Sequence, residues 1–144
     1  MATTSTAVLA WLHLLRIQHK VHRLETAHLA EYNLTLPQFD VLVQLHREEG
    51  ITQQSLADRL LVTKGNVCGL MDRMVEQGLV LRRADPNDRR AHMIHLTPKG
   101  KKLIAQVLPA QSRLVSAQIG KLSAEKQKQL LALLGELDRA LAEA

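Results

Sequence analysis

Aromatic side chains are nearly missing from this chain: one Trp, one Tyr and one Phe in 144 residues. That scarcity argues against a β-sandwich, whose strands and core draw on aromatics, and points to an aliphatic helical core built from Leu and Ala. Cys68 is the only cysteine, so an intramolecular disulfide is excluded and nothing suggests secretion. Uninterrupted apolar runs of about 18 residues are lacking, as is a basic start followed by a long apolar stretch. A soluble, cytoplasmic protein without a membrane partner is expected. There is no phosphate loop, no paired set of catalytic carboxylates and no nucleophile–base constellation, so an enzyme is not expected and no cofactor is implied.

What charge there is lies unevenly. The net charge is +5, yet residues 52–102 alone hold ten Lys and Arg against five acids. The segments before and after are close to balance, so the whole positive excess sits on that middle stretch. A basic cluster by itself is an ordinary solvated surface. Its meaning depends on the local structure beneath it.

The pattern of apolar residues supplies that structure. From Ala7 to about Tyr32 they recur three to four apart (Val8, Trp11, Leu14, Ile17, Val21, Leu24), which predicts one long amphipathic helix ended by Asn33. Thr35 and Gln38 form a capping-box pair, with Leu34 and Phe39 placed for a hydrophobic staple, and Gly50 ends the helix they start. Thr52 caps a short helix carrying Leu56, Ala57 and Leu60. Leu61-Val62 makes a turn, and Thr63 caps a further helix running to about Gln77, with Gly78 as its stop. Leu79–Arg83 and His92–Leu96 read as two strands joined through Ala84-Asp85-Pro86-Asn87-Asp88. Thr97-Pro98 opens another helix with a kink expected at Pro109, and Ser123 caps the last, striped by Leu130, Leu133, Leu134, Leu137 and Leu141.

Two helices meeting at small Ala57, followed by a basic hairpin, form a layout that can reach both grooves of DNA. The expected fold is mainly α with a small β-hairpin wing: a winged helix-turn-helix lobe over residues 35–102, flanked by helices at 1–34 and 103–144. Those flanking helices carry more apolar surface than the lobe can cover, so they are expected to dimerise two copies; folding back on their own domain is the alternative. Asn66 could pair with adenine, Lys64 with guanine or phosphate, and Thr63 and Cys68 share their outward face. Arg73 is placed for phosphate, and Thr52 and Gln53 could offer polar groups to the backbone. Arg89 and Arg90 suit a narrow minor groove, with Asp88 expected to brace an arginine through a salt bridge. A winged helix used for protein interaction is the rival, and predicts weak, salt-insensitive DNA association.

The run Asp88-Arg89-Arg90-Ala91-His92-Met93-Ile94-His95-Leu96-Thr97-Pro98-Lys99-Gly100 resembles the wing and following helix start of the MarR family of bacterial regulators. Leu56-Ala57, Leu70-Met71-Asp72-Arg73-Met74 and Gly78-Leu79-Val80 extend the likeness, and the flanking helices match in order and length. The resemblance implies a triangular homodimer reading a palindrome in double-stranded DNA, repressing a nearby operon and releasing DNA when a small ligand or oxidant acts. It also implies an effector pocket between the first two helices and the start of the fifth. Arg16 would hold the carboxylate of a small aromatic acid there, near Trp11, His13 and Phe39. Gly69 stands where many members carry Arg, and Gly65 and Gly69 each lower helix stability by roughly 1 kcal/mol relative to Ala. Redox-sensing relatives carry their cysteine near the start of the first helix. Cys68 instead reads as a small inert residue, with a thiolate assisted by Lys64 as the alternative. Among seven histidines, His19 and His22 share a face, but no acid or cysteine completes a tetrahedral set, so no metal is expected.

Overall fold

The computed structural model describes residues 3–60 and 66–142. Helix α1 (Thr6–Ala30) begins where the Ser5 hydroxyl accepts the Val8 N–H at 3.2 Å. It ends at Ala30, and the turn that follows carries Asn33, whose left-handed φ of 57° a short polar side chain tolerates. The Thr35–Gln38 box is complete. Thr35 Oγ1 accepts the Gln38 N–H at 3.3 Å and Gln38 Oε1 accepts the Thr35 N–H at 3.0 Å, opening α2 (Leu36–Arg47). Val41, Leu42 and Leu45 of α2 are fully buried, so this helix runs through the centre of the core.

Gly50 turns the chain with φ +71° into β1 (Ile51–Thr52), a strand absent from the sequence-based expectation. Two residues are too few for alternation to show, and the strand exists only because Ile51 and Thr52 pair with Ile94 and Met93. Next come α3 (Gln53–Arg59) and α4 (Val67–Glu76). The hairpin strands β2 (Val80–Asp85) and β3 (Asp88–Leu96) complete an antiparallel sheet of order β1-β3-β2. Both strands run further toward the tip than apolar alternation indicated. Ala84↔His92 and Asp85↔Asp88 pair through their backbones, which needs no buried face.

Helix α5 (Pro98–Ile119) starts at Thr97, whose hydroxyl accepts the Gly100 N–H at 2.9 Å, and it spans Pro109 as one element. Ser123 Oγ accepts the Lys126 N–H at 3.3 Å at the start of α6 (Ala124–Ala142). Leu29 of α1 and Ile104 and Val107 of α5 share one core with Leu42, Leu56, Met71, Met74 and Ile94. A polar bridge also ties α1 to α5: His28 Nδ1 lies 2.6 Å from Gln111 Oε1, and Gln111 Nε2 donates to Glu25 Oε2 at 3.2 Å.

No residue of α6 is buried, and most of the α1 stripe faces solvent too. Leu131 is 73% exposed, Leu133 64%, Leu141 64% and Trp11 58%. The two outer helices therefore leave their apolar faces uncovered by their own chain.

Candidate nucleic-acid interface

Local hydrogen bonding sets the start of α3. Thr52 Oγ1 accepts the Ser55 N–H at 3.0 Å, the cap its sequence position predicts. Gln53, the first residue of α3, reaches across to α4, where its Nε2 donates to Cys68 Sγ at 3.1 Å. The two helices are thus joined at their outer ends by side chains that were each expected to face DNA.

Thr63 and Lys64, expected at the head of α4, lie outside the described residues. Within them the cap is Asn66, whose Oδ1 accepts the Gly69 N–H at 2.8 Å. Its carboxamide therefore has a structural task besides any base contact, worth about 1 kcal/mol to the helix. Gly69 makes that cap possible. A Cβ there would stand 2.5 Å from Asn66 Nδ2, so a larger residue would displace the capping amide. Leu70, Met71 and Met74 turn inward, leaving Cys68, Asp72 and Arg73 exposed on the other side. Arg73 lies in the last turn of α4, away from the Asn66 end.

The wing is shaped by two aspartates. Asp85 Oδ1 accepts the Asn87 N–H and Asp88 Oδ1 accepts the Arg90 N–H, each at 2.9 Å. Asp88 thus meets the backbone of Arg90, and among the described side chains, which leave out that of Arg89, it makes no ion pair. A short acid at a tight turn finds a backbone N–H two residues on more readily than a guanidinium. Arg90 is exposed, and the Arg89 side chain lies outside the described set.

Arg82 went unnoticed in the sequence. Its Nη1 donates to Asp72 Oδ1 at 2.5 Å and its Nη2 to the Cys68 carbonyl at 3.2 Å, binding β2 to α4. Strand alternation held the signal, because Arg82 falls on the same face as buried Val80. A charge on that face needs a partner. Thr52, Gln53, Cys68 and Arg90 surround one recess of about 390 Å³, together with Ala57 and His92, where α3, α4 and the wing meet.

The four residues proposed to hold an effector are not brought together. Trp11, His13 and Arg16 are exposed on the first half of α1, while Phe39 is half-buried against the core on α2. A mostly apolar recess of about 440 Å³ does lie between α1 and the start of α2, but His22, Thr26, Leu34, Thr35 and Pro37 line it. The helices meet near the end of α1, a crossing point that periodicity cannot fix. Among the described residues no group of three or more His, Cys, Asp or Glu could hold a metal ion, and no helix is long and apolar enough to cross a membrane.

Paired helices α3 and α4 with a basic two-stranded wing define a winged helix-turn-helix DNA-binding protein. The MarR family model matches residues 32–91. The chain is 29% identical over 140 residues to an uncharacterized HTH-type transcriptional regulator of Bacillus cereus, spanning 96% of this chain and 93% of that one. It is 30% identical over 127 residues to the transcriptional regulator HosA of Escherichia coli, spanning 85% of this chain and 94% of HosA. A crystal structure of an Escherichia coli MarR mutant complexed with operator DNA matches with a TM-score of 0.80 at 26% identity, covering 94% of this chain and 99% of the other. The chain belongs to the MarR family of transcriptional regulators, and it binds DNA.

Proposed function

We propose that this chain is a ligand-responsive repressor that acts in the cytoplasm and binds a palindromic operator as a homodimer. The observation that carries the reading is the uncovered apolar surface of α1 and α6, flanking a lobe whose basic residues gather on the wing and the start of α5. A two-fold dimer covers those faces and presents two α4 helices about 34 Å apart, one duplex turn. In each lobe Thr63, Lys64, Asn66 and Cys68 face base edges. Thr52, Gln53 and Arg73 meet phosphate, and Arg89 and Arg90 enter the minor groove. Residues 35–102 then form the reading lobe, and 1–34 with 103–144 the dimerisation helices.

Footprinting on DNA upstream of its own gene tests this. The expected result is protection of an inverted repeat, with affinity falling roughly a thousandfold between 50 and 200 mM salt as several phosphate contacts release counterions. Asymmetric protection, or binding indifferent to salt, would overturn it.

The effector in this proposal is a small aromatic acid. The recess between α1 and α2 falls within the size range of small-molecule sites, and its Thr26 and Thr35 hydroxyls can orient a polar group. Arg16, the carboxylate partner that the resemblance implies, lies outside that lining, so His22 and the two hydroxyls hold the acid there. Calorimetry with salicylate should show binding that weakens about tenfold in His22→Ala, the loss of one charge-assisted hydrogen bond. Absence of binding, or binding untouched by that substitution, would sink the assignment.

A further inference from the structure

Arg82 occupies an unusual place. It is on the wing strand β2, yet both terminal nitrogens of its guanidinium point to α4, one to the Asp72 carboxylate and one to the Cys68 carbonyl. These acceptors lie one helical turn apart, and the planar fork spans them. At Cys68 the fork meets a second link, since the Cys68 thiol also receives the Gln53 amide from the first residue of α3. Two separate elements are therefore tied to one turn of α4: the start of α3 through a side chain, and the wing through a carbonyl and a carboxylate.

We propose that Arg82 is a positioning residue for DNA reading: it fixes the wing relative to α4 so that both grooves are engaged as one rigid unit. The inference rests on the assignment of α4 to base edges and of Arg89 and Arg90 to the minor groove. Exposure is the reason to assign the contact to geometry. The two side chains are 27% and 60% exposed, and pairs that open to solvent add little to folding stability. What they do supply is direction. Register carries the constraint outward, because Arg82 pairs with Ile94 on β3, whose other end bears Arg89 and Arg90. The guanidinium of Arg82 is oriented by α4, since each terminal nitrogen already donates once to that helix and its Nε is buried with no partner among the described residues. Lysine, a point charge on a flexible stem, cannot reproduce the fork.

The experiment begins with the wild-type chain selecting duplexes from a randomised pool. Affinities for the selected duplex and for a random one are then measured in Arg82→Ala, Arg82→Lys and Asp72→Asn. Each variant should lose about tenfold in affinity for the selected duplex, the cost of misreading roughly one base pair. Random-duplex affinity in Asp72→Asn should stay level or rise, the slope of log affinity against log salt should be unchanged in Arg82→Ala, and the thermal midpoints should stay near wild type.

The sign for Asp72→Asn decides the matter. Removing an acid from a DNA-binding lobe strengthens attraction to phosphate, so weaker specific binding can arise only from lost geometry. Selected-duplex affinity equal to or above wild type in Asp72→Asn would overturn the proposal. So would a salt slope reduced by about one in Arg82→Ala, the mark of a direct phosphate contact, or full activity in Arg82→Lys. A wild-type chain that selects no sequence would instead refute the assignment of α4 to base edges, and this inference with it.

Discussion

Replacing Leu133 and Leu137 with aspartate should leave the protein monomeric and lower its operator affinity by about a hundredfold or more, the loss expected when two linked half-sites are read singly. The two leucines stand four apart on one face of α6 and are 64% and 47% exposed. Neither contributes to the core of its own chain, so the substitution leaves Leu42, Met71, Ile94 and their neighbours intact. In a dimer the same positions are buried, and each leucine returned to water costs about 2 kcal/mol before the penalty of an unpaired carboxylate is counted. Sedimentation equilibrium reads the mass, and anisotropy titration with labelled operator reads the affinity. A variant that stays dimeric would remove α6 from the interface.

Gly100→Ala should lower the unfolding midpoint by about 10 °C, corresponding to roughly 3 kcal/mol for an overpacked site in a chain of this size. Gly100 sits in the first turn of α5, and a Cβ built there collides with the Leu79 carbonyl oxygen. That oxygen is backbone and cannot rotate away. It already accepts the Thr97 N–H at 3.1 Å and lies 3.2 Å from the Thr97 hydroxyl, so moving it disturbs the joint between β2 and α5. Thermal and urea unfolding followed by far-UV circular dichroism would measure the loss. A midpoint within two or three degrees of wild type would show that α5 can slide at little cost.

Sequence and structure agree best where a single side chain acts on its own neighbourhood. Thr35 with Gln38, Thr52, Thr97 and Ser123 all cap as expected, because a cap is a hydrogen bond across three residues and needs no knowledge of the rest of the fold. Agreement fades with distance along the chain. The β1 strand depends wholly on Ile94 and Met93, more than forty positions away. The Arg82 fork depends on where β2 passes α4. The shift between Ala84 and Asp85, which shapes the wing tip, follows from the tight turn at Pro86-Asn87. Asn66 is a subtler case. Thr63 and Asn66 are both good cap residues, and composition gives no order between them. Gly69, read from the sequence as a weakening of the helix and a missing Arg, has a local purpose once Asn66 is seen to fold over it.

The Thr97 hydroxyl donates to the Gly78 carbonyl at 2.6 Å, just past the end of α4, while accepting the Gly100 N–H at the head of α5. One side chain thus couples the base of the reading helix to the foot of a long rod. The 22 residues of α5 measure about 33 Å end to end. A tilt of roughly 6° about its far end swings the near end by about 3.4 Å, the rise of one base-pair step. In a dimer anchored through the outer helices, a change too small to disturb any core contact is geared up into a shift of a full step along the duplex. A ligand that nudges the anchored end then needs no contact with the DNA lobe to move both reading heads out of phase.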